Sequence, residues 1–411
     1  MLAAVLPAQS NFFLRDGDVV VFYGDSITDQ RLYTNFVETF VATRFPALNV
    51  RFVHSGWAAD RVDGGAGGSI DLRLRRDVLR YHPSVITLML GMNDGHYRPF
   101  DPAVAKAFAT GYENIIQTVK AALPNTRITL LRTSPYDDVT RPASFPGGYN
   151  DVLLRYSEFL PTLAKREELM YVDLNASLVS VLKKVYAANS ELAKQLIPDR
   201  VHPGLAAHLV MAESLLKAWN APALVTAVEI NGVTGKARRA ENTTLSDLST
   251  ETNLHWTQLD SVLPMSIGPV PSEELVKLVL GSTDFIEALN QETLRVTGLP
   301  SGAYDLKIDG ERIATFTDAQ LAASINLAHL TTPMSHQSDD VLLLTYEHNN
   351  LHFARWRLVE TAFEQENLSS TRAAMDALDK LEDEVLALRK RKAAPRPHHF
   401  EIAAVPPKSE P

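Results

Sequence analysis

Apolar runs alternate with helical patterns over residues 18–220. The runs are rich in Val, Ile, Leu and Phe and show little polar alternation, as is typical of strands covered on both faces. They read "DVVVFYG", "NVRFVHSG", "SVITLMLGMND", "RITLLRTSP" and "LMYVDL". Between the first two runs, an apolar stripe at helical spacing ends at Pro46. Further helices are predicted near 101–123, 151–166, 177–196 and 203–219. This alternation predicts a doubly wound α/β layer around a parallel sheet.

The rhythm changes after residue 220. Residues 221–335 contain short candidate strands separated by turn residues, and the Asp-Gly pair at 309–310 predicts a tight hairpin turn. We therefore expect a small β-rich module there. From 336 to 392 apolar residues recur at steps of four and three, which over about two heptads predicts a packed helical hairpin. The stripe consists of Ala374, Leu378, Leu381, Val385 and Leu388. Residues 393–411 are charged and proline-rich, which predicts disorder.

Composition narrows the classes of function. The chain has 411 residues, 45% of them hydrophobic, which suits two globular domains. A net charge of -9 argues against nucleic acid as a partner, because phosphate contacts need a basic face. The absence of cysteine from the sequence excludes disulfides, thiolate metal sites and cysteine nucleophiles. No apolar run reaches the roughly 18 residues of a membrane span.

The N-terminal segment, residues 1–17, allows two interpretations. It begins "MLAAVLPAQS", which has the apolar run and small residues found near a signal-peptide cleavage site but lacks the basic stretch before them. A trimmed signal peptide would make the protein secreted or periplasmic. The alternative is a disordered start of a cytoplasmic protein.

The first apolar run ends in Gly24-Asp25-Ser26, and a helical pattern follows it. Ligands of open α/β sheets bind beyond the carboxyl ends of the strands, and a helix N-terminus there favours an oxyanion. Ser26 is therefore a candidate nucleophile. The alternative is purely structural, because Asp25, Ser26 and Thr28 are all common helix-capping residues. The G-x-S-x-G pattern of the α/β-hydrolases is absent.

Two further strand ends carry candidate oxyanion donors. "LGMNDG" places Asn93 at the same sheet edge as Ser26, where its amide can donate to a developing oxyanion, although Asn-Asp-Gly is also a common turn. The second strand runs into "FVHSGWAADRVDGGAGG", a loop that can offer a backbone N–H. This loop lacks the G-x-G-x-x-G pattern of a dinucleotide site.

The fourth feature is "IPDRVHPG", in which Asp199 precedes His202 by three residues. Pro203 biases His202 towards an extended backbone outside the following helix. A histidine on such a loop can act as a general base, and the aspartate can orient its ring and stabilise the imidazolium. The structural alternative is a helix-entry turn capped by Asp199.

Taken together, these features resemble the SGNH hydrolases, also called the GDSL esterase/lipase family, over about residues 18–219. The matching blocks are Gly24-Asp25-Ser26-Ile27, Gly91-Met92-Asn93-Asp94 and Asp199-Arg200-Val201-His202-Pro203. The resemblance implies a flavodoxin-like sheet and a catalytic triad of Ser26, His202 and Asp199. It also implies an oxyanion hole formed by the Ser26 and Ala59 N–H groups and the Asn93 amide. Neither a metal nor an organic cofactor is expected.

The second block departs from the family pattern of an asparagine followed by Gly-Asp. If Asp60 matches the aspartate of that pattern, Ala59 stands at the glycine position and His54 stands where asparagine is usual. Gly56 is the alternative donor if the register shifts. An alanine N–H can serve as well as a glycine N–H, so activity is still expected.

The resemblance implies a serine esterase acting on short, acetyl-type esters, including esters on carbohydrates. The alternatives are a lysophospholipase or thioesterase for longer acyl chains, and a binding or assembly protein on a hydrolase fold. The loops around the site suggest substrate contacts, and the C-terminal helices suggest homo-oligomerisation. The candidate substrate-binding residues are Asp25, Gly56, Trp57, His96 and Tyr97.

Overall fold

A computed structural model describes residues 11–268, 272–366 and 368–406. Residues 1–10, where most of the suggested signal remnant lies, fall outside the described residues. Phe12 and Leu14 are buried, Phe12 stacks on Phe45 with ring centroids 4.5 Å apart, and the Phe13 N–H donates to the Trp219 carbonyl at 2.8 Å. Residues 11–17 are therefore packed against the first domain rather than disordered.

The first domain is built on a five-stranded parallel sheet, which confirms the predicted fold class. Its strands are β1 (Val19–Gly24), β2 (Arg51–Gly56), β3 (Val85–Met89), β4 (Arg127–Arg132) and β5 (Met170–Asp173). The spatial order β2-β1-β3-β4-β5 is the flavodoxin-like order, in which the chain reverses direction across the sheet at β1. Gly24 lies beside Gly56 at the carboxyl edge, so the first two strands end level with each other.

Nine helices of the first domain connect or cover these strands. They are α1 (Ser26–Asp29), α2 (Leu32–Arg44), α3 (Ile70–Asp77), α4 (Pro102–Ala122), α5 (Gly148–Tyr156), α6 (Leu160–Glu167), α7 (Leu174–Ala188), α8 (Ser190–Ala193) and α9 (Leu205–Ala218). The helices predicted at 151–166 and 177–196 are each divided in two. Strand side chains such as Val20, Val21 and Phe22 are completely buried, because helices pack on both faces of the sheet.

The second half contains two further sheets. Its strands are β6 (Leu224–Asn231), β7 (Lys236–Glu241), β8 (Thr243–Ser249), β9 (Leu254–Asp260), β10 (Gln291–Thr297), β11 (Ala303–Ile308), β12 (Glu311–Thr317), β13 (Ile325–Asn326) and β14 (Pro397–Ala404). The sheet orders are β8-β9-β14-β11-β12 and β13-β10-β6-β7. Three helices accompany them: α10 (Glu273–Leu280), α11 (Phe285–Leu289) and α12 (Asp318–Ala323). Asp309 and Gly310 both have positive φ, at 52° and 84°, which confirms the tight turn predicted between β11 and β12.

The prediction that residues 393–411 are disordered is wrong for the described part of this segment. Strand β14 inserts between β9 and β11, where Ile402 pairs with both Leu254 and Leu306. Phe400 and Ile402 are buried, and Phe400 stacks on Trp256 with ring centroids 5.1 Å apart. The apolar residues alternate within a charged, proline-rich composition, and the strand partners are distant in sequence. Residues 407–411 lie outside the described residues.

The helical hairpin consists of α13 (Pro333–Phe353), a π-helical segment (Ala354–Glu360) and α14 (Ser369–Ala393). It packs against α2 and β2 of the first domain. The apolar stripe predicted to pack is largely exposed, with Leu381 at 45% and Leu388 at 36%, whereas Glu382 and Arg389 are buried. These two charges face inward because they pair with His348 and Glu38. Oligomerisation through these helices stays a prediction.

No helix among the described residues combines the length and the apolar character needed to cross a membrane.

Candidate active site

The structure brings Ser26, His202 and Asp199 into one hydrogen-bonded line at the carboxyl edge of the sheet. Ser26 begins α1 directly after β1, and His202 lies on the loop before α9. The Ser26 Oγ lies 2.9 Å from His202 Nε2, and His202 Nδ1 lies 2.6 Å from Asp199 Oδ2. Gln30, just after α1, donates through Nε2 to the Pro203 carbonyl at 3.3 Å, which ties the serine and histidine segments together.

Asp199 determines which ring nitrogen of His202 carries the proton. Burial raises the pKa of Asp199, but hydrogen bonds from the backbone and ring of His202 and from the Val201 N–H outweigh burial and lower this pKa overall. The carboxylate is therefore ionised near neutral pH and accepts a hydrogen bond from Nδ1. Nε2 is then left free to accept the proton of Ser26.

Arg200 holds the loop that carries Asp199 and His202. Its φ is 75°, in the left-handed region that non-glycine residues rarely adopt. Its guanidinium donates to Asp138 Oδ1 at 2.8 Å and lies 4.9 Å from the centroid of the Tyr136 ring. Its carbonyl accepts from the Asp137 N–H at 2.9 Å. The strained backbone is thus fixed from several directions, and Asp199 and His202 are fixed with it.

Asp25 and Gly56 are not placed as substrate contacts, in contrast to the prediction. Asp25 is completely buried and caps α1, because its Oδ1 accepts from the Ile27 N–H at 3.0 Å. Burial raises the pKa of Asp25 to about 7. A side chain at Gly56 would meet the backbone N of Asp29 at 2.2 Å. Glycine is therefore required so that β2 can approach α1, and no space is left there for a ligand.

The 57–60 loop, residues Trp57 to Asp60, runs beside Asn93. The loop is a turn closed by the Asp60 N–H, which donates to the Trp57 carbonyl at 3.2 Å. Ala59 is exposed and has a φ of 61°, a backbone conformation that favours glycine. The Asn93 Nδ2 donates to the Asp60 carbonyl at 3.1 Å. The structure therefore places Ala59 and Asn93 next to each other, whereas Gly56 lies inside the packed strand.

Tyr97 orients the Asn93 amide. Its hydroxyl donates to Asn93 Oδ1 at 3.0 Å, which directs the amide nitrogen towards the 57–60 loop. Burial raises the pKa of Tyr97 to about 12, so the hydroxyl keeps its proton at neutral pH. The Tyr97 ring lies 4.9 Å from that of Tyr149 and 6.1 Å from that of Tyr136. His96 is exposed, and no side-chain hydrogen bond joins it to the site among the described residues.

Trp57 is packed under the helical hairpin and is not open on both faces as a sugar platform would be. The guanidinium carbon of Arg357 lies 3.1 Å from the centroid of the Trp57 ring. The Trp356 ring meets the Trp57 ring edge-on, with centroids 5.4 Å apart. The sequence did not predict this arrangement, because the contacts join residues about 300 positions apart.

His54, at the position where the family has asparagine, turns away from Ser26. It bonds to Thr34 Oγ1 at 2.7 Å and to Glu38 Oε2 at 3.3 Å, both on α2. Burial lowers the pKa of His54. Glu38 also pairs with His348 and Arg389 of the hairpin. His54 therefore belongs to the contact between the two halves of the chain. A cavity of about 640 Å³ borders this contact, away from the triad and the 57–60 loop.

Sequence reasoning also missed a set of buried charges behind the 57–60 loop. Asp60, Arg73 and Asp77 have no exposed surface, and Arg73 pairs with both carboxylates. The only local signal is the spacing of Arg73 and Asp77, four residues apart on α3. No group of three or more potential metal ligands is found among the described residues.

Comparisons with known proteins find similarity to the half of the chain that carries this site and to nearly the whole chain. Residues 22–210 match the sequence model of the GDSL-like lipase/acylhydrolase family. An acetylxylan esterase from Geobacillus stearothermophilus is 25% identical over 224 residues, which cover 49% of this chain and 93% of that protein. A solved structure described as a gut microbial diltiazem-metabolizing enzyme is 25% identical. It covers 95% of this chain and 98% of its own, with a TM-score of 0.82. A structure of the acetylxylan esterase covers 51% of this chain and 96% of its own, at 22% identity and a TM-score of 0.41.

Proposed function

We propose that this chain removes short, acetyl-type acyl groups from carbohydrates or other small molecules. Residues 22–210 belong to the GDSL-like lipase/acylhydrolase family, and the chain is a carboxylic ester hydrolase. The observation that carries the proposal is the line of hydrogen bonds from Ser26 through His202 to Asp199, with Asn93 at the same sheet edge.

The proposed reaction passes through an acyl-enzyme. His202 Nε2 takes the proton of Ser26 as the serine oxygen attacks the ester carbonyl, and Asp199 stabilises the resulting imidazolium. The N–H groups of Ser26 and Ala59 and the Asn93 amide stabilise the oxyanion. Ala59 is preferred to Gly56 as the donor because it is exposed beside Asn93. The alcohol then leaves with the proton from His202, and water, activated by the same histidine, releases the acid.

The surface around the triad supports a short acyl group. A long acyl chain gains its binding energy by covering apolar surface. The exposed large hydrophobic side chains of the described first domain are Tyr97 and Tyr186, and Tyr97 is engaged with Asn93. The similarity of the catalytic half to an acetylxylan esterase supports an acetyl group as the acyl part of the substrate. The similarity of nearly the whole chain to a diltiazem-metabolizing enzyme supports alcohol parts other than carbohydrates.

Release of p-nitrophenol from acetate, butyrate and octanoate esters tests this function. We expect hydrolysis to decline from acetate to octanoate in the wild type. Ser26→Ala should lower acetate hydrolysis by about 10⁴–10⁶-fold. Ser301→Ala, which changes an exposed serine of the β-rich module, is the matched control and should keep full activity.

Rates with acetylated xylo-oligosaccharides and with diltiazem would then show which alcohol part of the ester the enzyme prefers. Faster hydrolysis of octanoate than of acetate would favour the lysophospholipase or thioesterase alternative instead. Equal rates for wild type and Ser26→Ala would remove Ser26 as the nucleophile.

A further inference from the structure

The 57–60 loop is held in place by a buried ion pair. Asp60 Oδ2 accepts from the Arg73 Nε at 2.5 Å, while its Oδ1 accepts from the Gly67 N–H at 3.4 Å. The backbone carbonyl of the same residue accepts from Asn93 Nδ2. Asp60 therefore connects two of the proposed oxyanion donors, Ala59 and Asn93, and any displacement of its side chain would move both.

Arg73 transmits the position of Asp60 to α3. It pairs with Asp77 one turn along the helix, and its second terminal nitrogen donates to the Ser55 carbonyl at 2.7 Å. Asp60, Arg73 and Asp77 have no solvent exposure. Buried charges tolerate little displacement, because a lost partner leaves an uncompensated charge away from water.

Trp356 of the π-helical segment completes this set of contacts from the far end of the chain. Its Nε1 donates to Asp77 Oδ1 at 2.7 Å, and the tryptophan is 1% exposed. A continuous path of side-chain bonds therefore runs from Trp356 through Asp77 and Arg73 to Asp60. This path joins the helical hairpin to the loop beside the catalytic serine.

Arg357 reaches the same loop from outside. Its guanidinium covers the ring of Trp57, the first residue of the 57–60 loop, and one terminal nitrogen lies 3.9 Å from Asp29 Oδ2. Asp29 is the last residue of α1, the helix that Ser26 begins. Trp356 and Arg357 are consecutive residues of a π-helix, a rare conformation that is frequent at functional sites. Together they hold the loop from two directions.

We propose that the C-terminal hairpin is part of the active site, with Trp356 and Arg357 as positioning residues that hold the 57–60 loop against Asn93. The inference rests on the proposed function. Its consequence is specific, because oxyanion donors act on the transition state more than on the bound ester. Loss of either residue should therefore lower kcat while leaving KM nearly unchanged.

Trp356→Phe tests the role of the indole N–H, because it keeps an aromatic side chain and removes the donor to Asp77. We expect kcat for p-nitrophenyl acetate to fall about 10- to 100-fold, since small displacements at a catalytic site cost this much, with KM within about twofold of the wild type. Trp256→Phe is the matched control. That tryptophan is also completely buried and donates Nε1 to a side chain, Gln258 Oε1, at 3.0 Å, but it lies in the β-rich module.

Arg357→Met serves if Trp356→Phe does not fold, because it keeps an unbranched apolar side chain and removes the guanidinium that covers Trp57. We expect kcat to fall about tenfold, because the 57–60 loop should move less than in Trp356→Phe. Thermal unfolding of each purified variant shows that the folded protein is being assayed. Rates for Trp356→Phe or Arg357→Met equal to that of Trp256→Phe would overturn the inference.

Labelling by a fluorophosphonate separates this inference from the proposed function. The Ser26 oxygen attacks phosphorus, the P–F bond breaks, fluoride leaves and His202 accepts the proton, whatever the natural ester is. Slower labelling of Trp356→Phe than of Trp256→Phe supports the inference. Equal labelling of the two overturns it and leaves the proposed function intact. A wild-type protein that is not labelled at Ser26 overturns both.

Discussion

The two sides of the proposed active site are built in different ways. On the nucleophile side, Ser26, His202 and Asp199 come from short segments, and the His202 and Asp199 side chains are 37% and 55% exposed. On the oxyanion side, Asp60 anchors the 57–60 loop to Arg73 and Asp77, and these three residues are completely buried. Exposed ion pairs contribute little to stability, whereas breaking a buried pair is costly. The exposed pair of His202 and Asp199 should therefore govern rate alone, and the oxyanion side both rate and stability.

The largest expected effect is on rate. Asp199→Asn should lower kcat by about 10⁴-fold, because the amide no longer holds the reactive tautomer of His202. The free energy of unfolding should change by less than about 1 kcal/mol, because the pair is exposed. Steady-state kinetics and urea unfolding measure the two quantities.

Asp309→Asn is a close control for this variant. Asp309 Oδ2 lies 2.6 Å from His398 Nδ1 in the β-rich module, the same distance as in the triad, and its side chain is 45% exposed. It should leave kcat unchanged. A large loss of stability in Asp199→Asn would contradict the contrast between the two sides.

The next effect falls on stability. Arg73→Met leaves Asp60 buried without its cation and Asp77 paired with Arg76 alone, and it should lower the free energy of unfolding by about 3–5 kcal/mol. The folded fraction should also lose activity as the 57–60 loop moves. Arg166→Met removes an exposed pair with Glu113 and should cost less than about 1 kcal/mol. Equal urea midpoints for the two variants would show that the buried ion pairs do not support the fold.

The same contrast explains what could be predicted from the sequence. Ser26, Asn93, Asp199 and His202 were proposed from local motifs at strand ends, because a parallel sheet brings such ends to one edge. The sheet itself followed from runs of apolar residues. Trp356 and Arg357 carry no local pattern that points to Trp57 or Asp77, and their role depends on how the hairpin docks.

Strand β14 and the buried face of α14 escape prediction for a related reason. The few buried apolar residues of β14 lie within a charged, proline-rich composition, and its partners lie in β9 and β11. On α14, the buried face carries Glu382 and Arg389, because their partners on α13 and α2 are charged. Periodicity of apolar residues cannot identify a face that is buried through ion pairs.

Asp25 sharpens the comparison, because it is a buried carboxylate on the nucleophile side. Burial raises its pKa from 3.8 to about 7, so the folded state keeps a proton that the unfolded state has already lost. The stabilisation from this group is complete below pH 4 and is lost as the pH rises through 7. Asn cannot titrate and keeps an oxygen to cap α1. The free energy of unfolding of Asp25→Asn, relative to that of wild type, should therefore increase as the pH rises from 5 to 8.

We expect a gain of about 1–2 kcal/mol, below the ceiling of roughly 4 kcal/mol that a shift of this size sets. Urea unfolding at both pH values measures it. Asp376→Asn, on the exposed surface of α14, should show no pH-dependent gain in stability over wild type. A stability difference between Asp25→Asn and wild type that stays constant from pH 5 to pH 8 would show that Asp25 is already ionised in the folded protein.

The smallest effect is expected at Ala59, where the oxyanion side departs from the family pattern. Its φ of 61° costs an alanine about 1–2 kcal/mol, whereas glycine adopts it freely but loses about 0.5–1 kcal/mol of conformational entropy on folding. Ala59→Gly should therefore raise the free energy of unfolding by about 0–1.5 kcal/mol, the difference between these two terms. Ala58→Gly, at an exposed neighbour outside the left-handed region, should lower it slightly.

The kinetic effect of Ala59→Gly distinguishes a backbone donor from a side-chain contact. The proposed donor is the N–H of residue 59, which both residues supply, so kcat for p-nitrophenyl acetate should change by less than about threefold. A tenfold loss would mean that the methyl group itself contacts the acyl group or fixes the loop. If kcat is unchanged in Ala59→Gly but lowered in Trp356→Phe, the helical hairpin positions the N–H of residue 59, and the side chain of that residue does not.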